Sequence, residues 1–206
     1  IVRAAGVEFI RYRPDGSGIG FTGQDGGLFR VDDAGEIHEL VPVSSLPPAI
    51  GVLDFDWFPD GKHFVYTLAD EVERRDQTTL GIEYSAWLGD TEGSDPVMLF
   101  GDIHGLKVSP DGRTIAGVSG TGLGDACYLD LESVFLRISE DWTVSEVMYQ
   151  DGFEIPPAVE QSESFFPRST PVWITGNQSV GIYLLSCVDI EGSSGVYLLD
   201  LMGQTI

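Results

Sequence analysis

Three stretches of this chain carry the same tight turn. Pro14-Asp15-Gly16 lies in FIRYRPDGSGIGFTG, Pro59-Asp60-Gly61 in LDFDWFPDGKHFVYTLA, and Pro110-Asp111-Gly112 in GLKVSPDGRTIAGVS. A fourth copy, TPVWITGNQSVGIYLLS, has Gly176-Asn177 in place of Asp-Gly. Proline presets φ at the first turn position, Asp bonds its own backbone, and Gly accepts a positive φ. β-branched and aromatic residues on both sides make each copy a hairpin. A third strand is predicted after each hairpin, over residues 27–32, 81–88, 126–131 and 195–201. A fourth is predicted over residues 37–43, 96–100 and 143–149. The chain therefore reads as a repeat of four antiparallel strands. No segment sustains a helical period, so almost no helix is expected.

The turn-centred copies, LKVSPDGRTIAGVS above all, resemble the TolB-like propeller repeat, also called PD40, a relative of WD40. The resemblance covers nearly the whole chain as four units. It implies an all-β propeller of four-stranded antiparallel blades, expected near residues 4–45, 46–100, 101–150 and 151–206. TolB-like propellers commonly have about six blades, so four units depart from that pattern. Either the N-terminal residues complete the last blade, or the four blades belong to a longer array; the second is the expectation. The resemblance implies no single activity, because such propellers serve both as docking modules and as caps of hydrolases.

Composition narrows the function classes. The chain has 206 residues, 42% of them hydrophobic, enough to bury a core. Its 33 acids against 11 bases leave a net charge of −22, with Lys62 and Lys107 the only lysines. Such a surface repels phosphate backbones and anionic lipid, so neither nucleic acid nor membrane insertion is expected. The acids are spread along the chain, as solubility requires; a face for a cation or a basic partner is the sharper alternative. Cys127 and Cys187 lack metal-cluster spacing, and their positions in adjacent units allow either a disulfide or two free buried thiols. Low Lys, abundant Gly and Asp, and an even Cys count point to an extracytoplasmic setting: periplasm, cell surface or secretion.

Several motifs suggest chemistry. Gly101-Asp102-Ile103-His104-Gly105 resembles the first signature of the metallophosphoesterases, whose Asp and His hold metal. A two-metal site needs further ligands downstream, yet His104 is the last histidine. The motif is expected instead to be the loop joining the second unit to the third, with Asp102 and His104 available to a partner. Gly18-Ile19-Gly20-Phe21-Thr22-Gly23 matches GxGxxG but sits in a predicted strand, where glycine eases close packing. No GxSxG elbow occurs. Asp54 and Asp56, or Glu132 and Glu140, form carboxylate pairs suited to acid–base work; the first pair alternates along one strand and is the leading candidate if it faces a channel. Otherwise such acids bond neighbouring strand ends.

Two loops complete the candidates. Residues 69–79 (ADEVERRDQTT) read as a charged loop containing Arg74 and Arg75. Residues 151–170 carry Phe165 and Phe166, suited either to folding back on the blades or to recognition. The sequence therefore points to a non-catalytic module that binds a protein or a small ligand through its loops. It implies no cofactor or metal. The alternatives are the propeller portion of a larger hydrolase, such as a prolyl-oligopeptidase-like serine peptidase, and a propeller glycosidase.

Overall fold

The computed structural model describes residues 7–46, 51–73, 80–119, 132–150, 165–167, 172–175, 179–186 and 195–200. They form sixteen strands in four sheets. The first blade comprises β1 (Val7–Tyr12), β2 (Gly18–Gly23), β3 (Leu28–Asp32) and β4 (Ile37–Val41). The second comprises β5 (Val52–Trp57), β6 (His63–Glu73), β7 (Leu80–Asp90) and β8 (Val97–Gly101). The third comprises β9 (His104–Val108), β10 (Thr114–Ser119), β11 (Glu132–Ile138) and β12 (Val144–Gln150). In each, neighbours in sequence pair as antiparallel neighbours in space. The only helical element among the described residues is a 3₁₀ turn at Val43–Ser45.

The fourth blade contains β13 (Phe165–Pro167), β14 (Val172–Thr175), β15 (Ser179–Ser186) and β16 (Gly195–Asp200). Leu184 pairs with Pro167 on one side and with Gly195 on the other. β13 and β14 thus share one edge of β15 in chain order, and together they take the place of a first strand.

The all-β expectation holds, with differences in detail. In blade three the third described strand is β11 over Glu132–Ile138; the ACYLDL segment expected as a strand lies outside the described residues, Cys127 with it, as does Cys187. The charged stretch expected to be loop is strand as far as Glu73. β6 and β7 pair from His63↔Asp90 to Glu73↔Leu80, while β5 stops pairing at Leu68 and β8 at Ser85. A two-stranded ribbon therefore runs past the end of blade two. The β-formers and alternation in HFVYTLADEVE suit one continuous strand.

The first strands β1, β5 and β9 are neighbours and line the inner side of the arc. Each blade buries its faces against the next. Phe55, Trp57, Phe64 and Tyr66 of blade two pack with Leu28 and Val41 of blade one. Phe58, Val65 and Leu88 of blade two pack with Leu106, Val108, Ile115 and Leu136 of blade three. The second strand of the first hairpin fits this seam because Gly20 has no side chain: a Cβ there would stand 2.7 Å from the Phe55 ring.

The repeated turns also nest. Gly16, Gly61 and Gly112 have φ of +73°, +65° and +72°. Arg13 donates from Nε and Nη2 to the Gly61 carbonyl at 3.1 and 2.6 Å, tying the first turn to the second. A Cβ at Gly112 would lie 3.0 Å from the Pro59 ring, whereas one at Gly16 would meet nothing within 4 Å.

These two glycines separate backbone strain from crowding. Gly16→Ala should cost about 1–2 kcal/mol, the penalty of a left-handed residue. Gly112→Ala should cost roughly 1–3 kcal/mol more, because Pro59 must also move. Urea unfolding of both variants checks the difference; equal losses would show that the turns do not press on one another.

Candidate functional site

The chain alternates between two ends of the arc. Every first strand runs toward a repeated turn, so one end carries the tight turns: 13–17, 58–62 and 109–113, with the third-to-fourth-strand turns 33–36, 91–96 and 139–143. The residues joining second to third strands in blades two, three and four (74–79, 120–131 and 187–194) leave from the opposite end, as do residues 151–164 between blades three and four.

Four of the sequence candidates lie at that opposite end. Asp102 and His104 sit there between β8 and β9, and Phe165 and Phe166 begin the first edge of blade four. Arg74 and Arg75 lie outside the described residues, in the segment that joins β6 to β7.

The GDIHG segment is a short seam. Gly101 ends β8 and His104 begins β9. Asp102 has φ of 53°, and its N–H donates to the Tyr84 carbonyl at 2.6 Å. Ile103 is fully buried in the seam between blades two and three. A Cβ at Gly117 would collide with Ile103 at 2.6 Å, so β10 needs glycine there. The His104 ring lies 4.6 Å from that of Tyr84, with Nε2 enclosed. Burial pushes its pKa down to about 4. Tyr84 belongs to the root of the ribbon, so this loop clamps the ribbon to blade three.

Asp54 and Asp56 occupy alternate positions of β5 and both reach β9. Asp56 Oδ2 accepts the Val108 N–H at 3.0 Å, and its Oδ1 accepts Lys107 Nζ at 3.2 Å. Arg11 Nε stands 3.9 Å from the same carboxylate. Counted back from the turn proline, Arg11, Asp56 and Lys107 hold the same position in three successive repeats. One anion between two cations thus ties three first strands together, and only 14% of the Asp56 side chain is exposed. Asp54 is buried, and burial pushes its carboxyl pKa up; the Thr67 hydroxyl and the Gly105 and Leu106 N–H groups oppose that shift. Its Oδ1 has no hydrogen bond of normal geometry, so the compensation is partial. Glu132 and Glu140 fall at opposite ends of β11 and form no pair.

Two arrangements carried no clear sequence signal. Asp32, Glu36 and His38 bring one ligand atom each within 4.8 Å of one another. Asp32 already accepts the Glu36 N–H at 2.9 Å and contacts His38 Nε2 at 3.1 Å, so its carboxylate closes the turn between β3 and β4. At the tight-turn end, the His63 ring stacks on Trp142 at 3.7 Å while its Nδ1 meets Asp60 at 2.6 Å. This contact staples the turn of blade two to blade three.

Similarity to known proteins is structural only. No family model matches the sequence, and no curated protein matches it. Among solved structures, an oligogalacturonate lyase in complex with manganese matches with a TM-score of 0.63 at 13% identity, over 99% of this chain and 54% of its own. The tricorn protease matches with a TM-score of 0.61 at 11% identity, over 97% and 22%. The β-propeller domain of Myceliophteria thermophila Cps50 (Swd1) matches with a TM-score of 0.61 at 10% identity, over 100% and 61%. The chain has a β-propeller fold, and it spans between about a fifth and three-fifths of these structures. The finer resemblance, to the TolB-like repeat, rests on the turn motifs.

Removing the central anion should destabilise all three blades. Asp56→Ala leaves Lys107, Arg11 and the Val108 N–H uncompensated and should cost about 2–3 kcal/mol, less than a fully buried pair because the carboxylate is partly solvated. A loss under about 0.5 kcal/mol in urea unfolding would show that the contact is incidental.

His104 predicts a pH effect. Its folded pKa lies below the ordinary value, so the unfolded chain binds more protons as pH falls from 6.5 towards 4. Stability is lost over that window, and His104→Asn should flatten the dependence. An unchanged profile in the variant would contradict this reading of the ring.

Proposed function

We propose that this chain is a non-catalytic interaction module that binds a protein or a small ligand at the end opposite the repeated turns, in an extracytoplasmic setting. The observation that carries the proposal is the asymmetry of the two ends. Tight turns close one end, while the β6–β7 ribbon, the Asp102–His104 seam and the strand ends that the longer connections join lie at the other. Packed blades hold such segments at fixed spacing, which lowers the entropy lost on binding.

The first-strand carboxylates favour binding over catalysis. Asp56 is occupied by Val108, Lys107 and Arg11, and Asp54 is buried against β9. A propeller glycosidase would need such acids free to meet a substrate.

The second reading is a propeller portion of a larger hydrolase. It draws on the tricorn protease, of which this chain spans 22%. A GxSxG-bearing α/β domain in the full reading frame would favour it.

A photo-crosslinking residue placed at Asp102 tests the module reading against one placed at Glu140, in the tight turn between β11 and β12. Asp102 should give a discrete crosslinked species in extracts of the source cells, and Glu140 should not. Equal labelling from both ends, or peptide hydrolysis by the purified chain, would contradict the proposal.

A further inference from the structure

The two seams at the tight-turn end are tied by different chemistry. Between blades one and two, Arg13 donates to the Gly61 carbonyl, and a guanidinium keeps its charge at every ordinary pH. Between blades two and three the contact is made by a histidine. His63 opens β6 directly after its turn, where Gly18 and Thr114 stand in the other two Pro-Asp-Gly hairpins. Neither of those side chains titrates.

The imidazole is held on two sides. Its Nδ1 meets Asp60 Oδ2 at 2.6 Å, and Oδ1 of the same carboxylate accepts the Lys62 and His63 N–H groups at 2.9 and 3.0 Å. Burial alone would raise the Asp60 carboxyl, but the His63 ring and these N–H groups outweigh it and hold the group below its ordinary value. The face of the imidazole lies on the Trp142 ring, with centroids 3.7 Å apart and planes 24° from parallel. The indole stands perpendicular to the Phe58 ring at 5.0 Å, and Phe58 belongs to the core of the seam. Trp142 has φ of 64°, a left-handed backbone that a bulky residue keeps only where its surroundings hold it. One side chain of blade two thus links a carboxylate of its own turn to the turn between β11 and β12.

A proton on that ring changes both contacts. The Asp60 hydrogen bond becomes an ion pair, and the stack on Trp142 becomes a cation–π contact. Histidine is the side chain whose charge ordinarily changes between about pH 5 and 8. Neighbouring acids are engaged in their own turns. Asp90, opposite His63 on β7, accepts the Glu92 and Gly93 N–H groups at 2.7 and 2.8 Å. Asp141 meets the Ser139 and Thr143 hydroxyls, and Asp111 of the β9–β10 turn accepts the Arg113 N–H at 3.0 Å. Lys62 and Glu140, the remaining charged side chains of the two stapled turns, are exposed.

We propose that Asp60, His63 and Trp142 form a proton-operated latch across the seam between blades two and three, which tightens as His63 gains charge and loosens as pH rises. The contacts set the sign: a charged ring gains both at the carboxylate and at the indole face. The latch is independent of the partner-binding reading, which concerns the opposite end of the blades.

Hydrogen exchange at the Trp142 amide, whose N–H donates to the Ser139 carbonyl at 3.1 Å, reads the latch directly. After correction for intrinsic exchange chemistry, its protection in the purified chain should be about three- to tenfold greater near pH 5.5 than near pH 8. Fluorescence supplies a second reading. A charged imidazole quenches an indole stacked on it, so emission should rise as pH passes through the range of about 5 to 8. His63→Gln should abolish both dependences, and His104→Asn should keep both. Trp142→Phe should remove the emission step, and it carries the same test if His63→Gln does not fold. Equal protection at the two pH values overturns the proposal. A pH dependence that His63→Gln leaves intact, or an emission step that survives Trp142→Phe, overturns it equally.

Discussion

Asp56 sits where three first strands converge, and the arc depends on how its charge is met. A single four-stranded sheet has two faces and cannot bury both by itself. Stacked blades solve that problem with apolar residues over most of each face. Near the inner side the strands crowd, and backbone N–H groups must find acceptors there. Asp56 supplies one to Val108 and balances Lys107 and Arg11. Asp54, on the same strand, faces β9 less favourably, because burial pushes its carboxyl up. The same pattern of acids that suggests acid–base chemistry thus has a structural use in this packing.

The turns carry the second constraint. Their positive-φ glycines let the chain reverse, and the Gly112 turn also makes room for the turn of the preceding blade. With Arg13 bonded to the Gly61 carbonyl and His63 stacked on Trp142, one end of the arc is closely tied. The longer connections join strand ends at the other end. That division gives the partner-binding proposal its physical basis: the tied turns hold the blades opposite the end where the longer connections begin.

Much of this was legible in the residues. The three Pro-Asp-Gly turns fixed the hairpins of blades one to three, and the Gly18–Gly23 motif read correctly as a strand rather than a phosphate loop. The seam at GDIHG was also legible from its place between two strand runs. Other features were not. The ribbon was hidden because its charged alternation, ADEVE, is that of any solvated segment. ESVFLRI did not stand out as a strand beside the equally β-rich ACYLDL, and only pairing with β10 reveals it. Ile103 as a core plug could not be read from a motif known for its Asp and His. The closure of Asp56 by cations from two other repeats emerges only when equivalent positions are laid side by side.

The central claim is that the charge on Asp56 couples blades two and three. A double-mutant cycle on Asp56→Ala and Lys107→Ala, followed by urea unfolding, measures that coupling directly. The account predicts an interaction energy of about 1 kcal/mol or more, with the double variant less unstable than the two single losses combined. Losses that add to within roughly 0.3 kcal/mol would show that the two residues act independently and would contradict it.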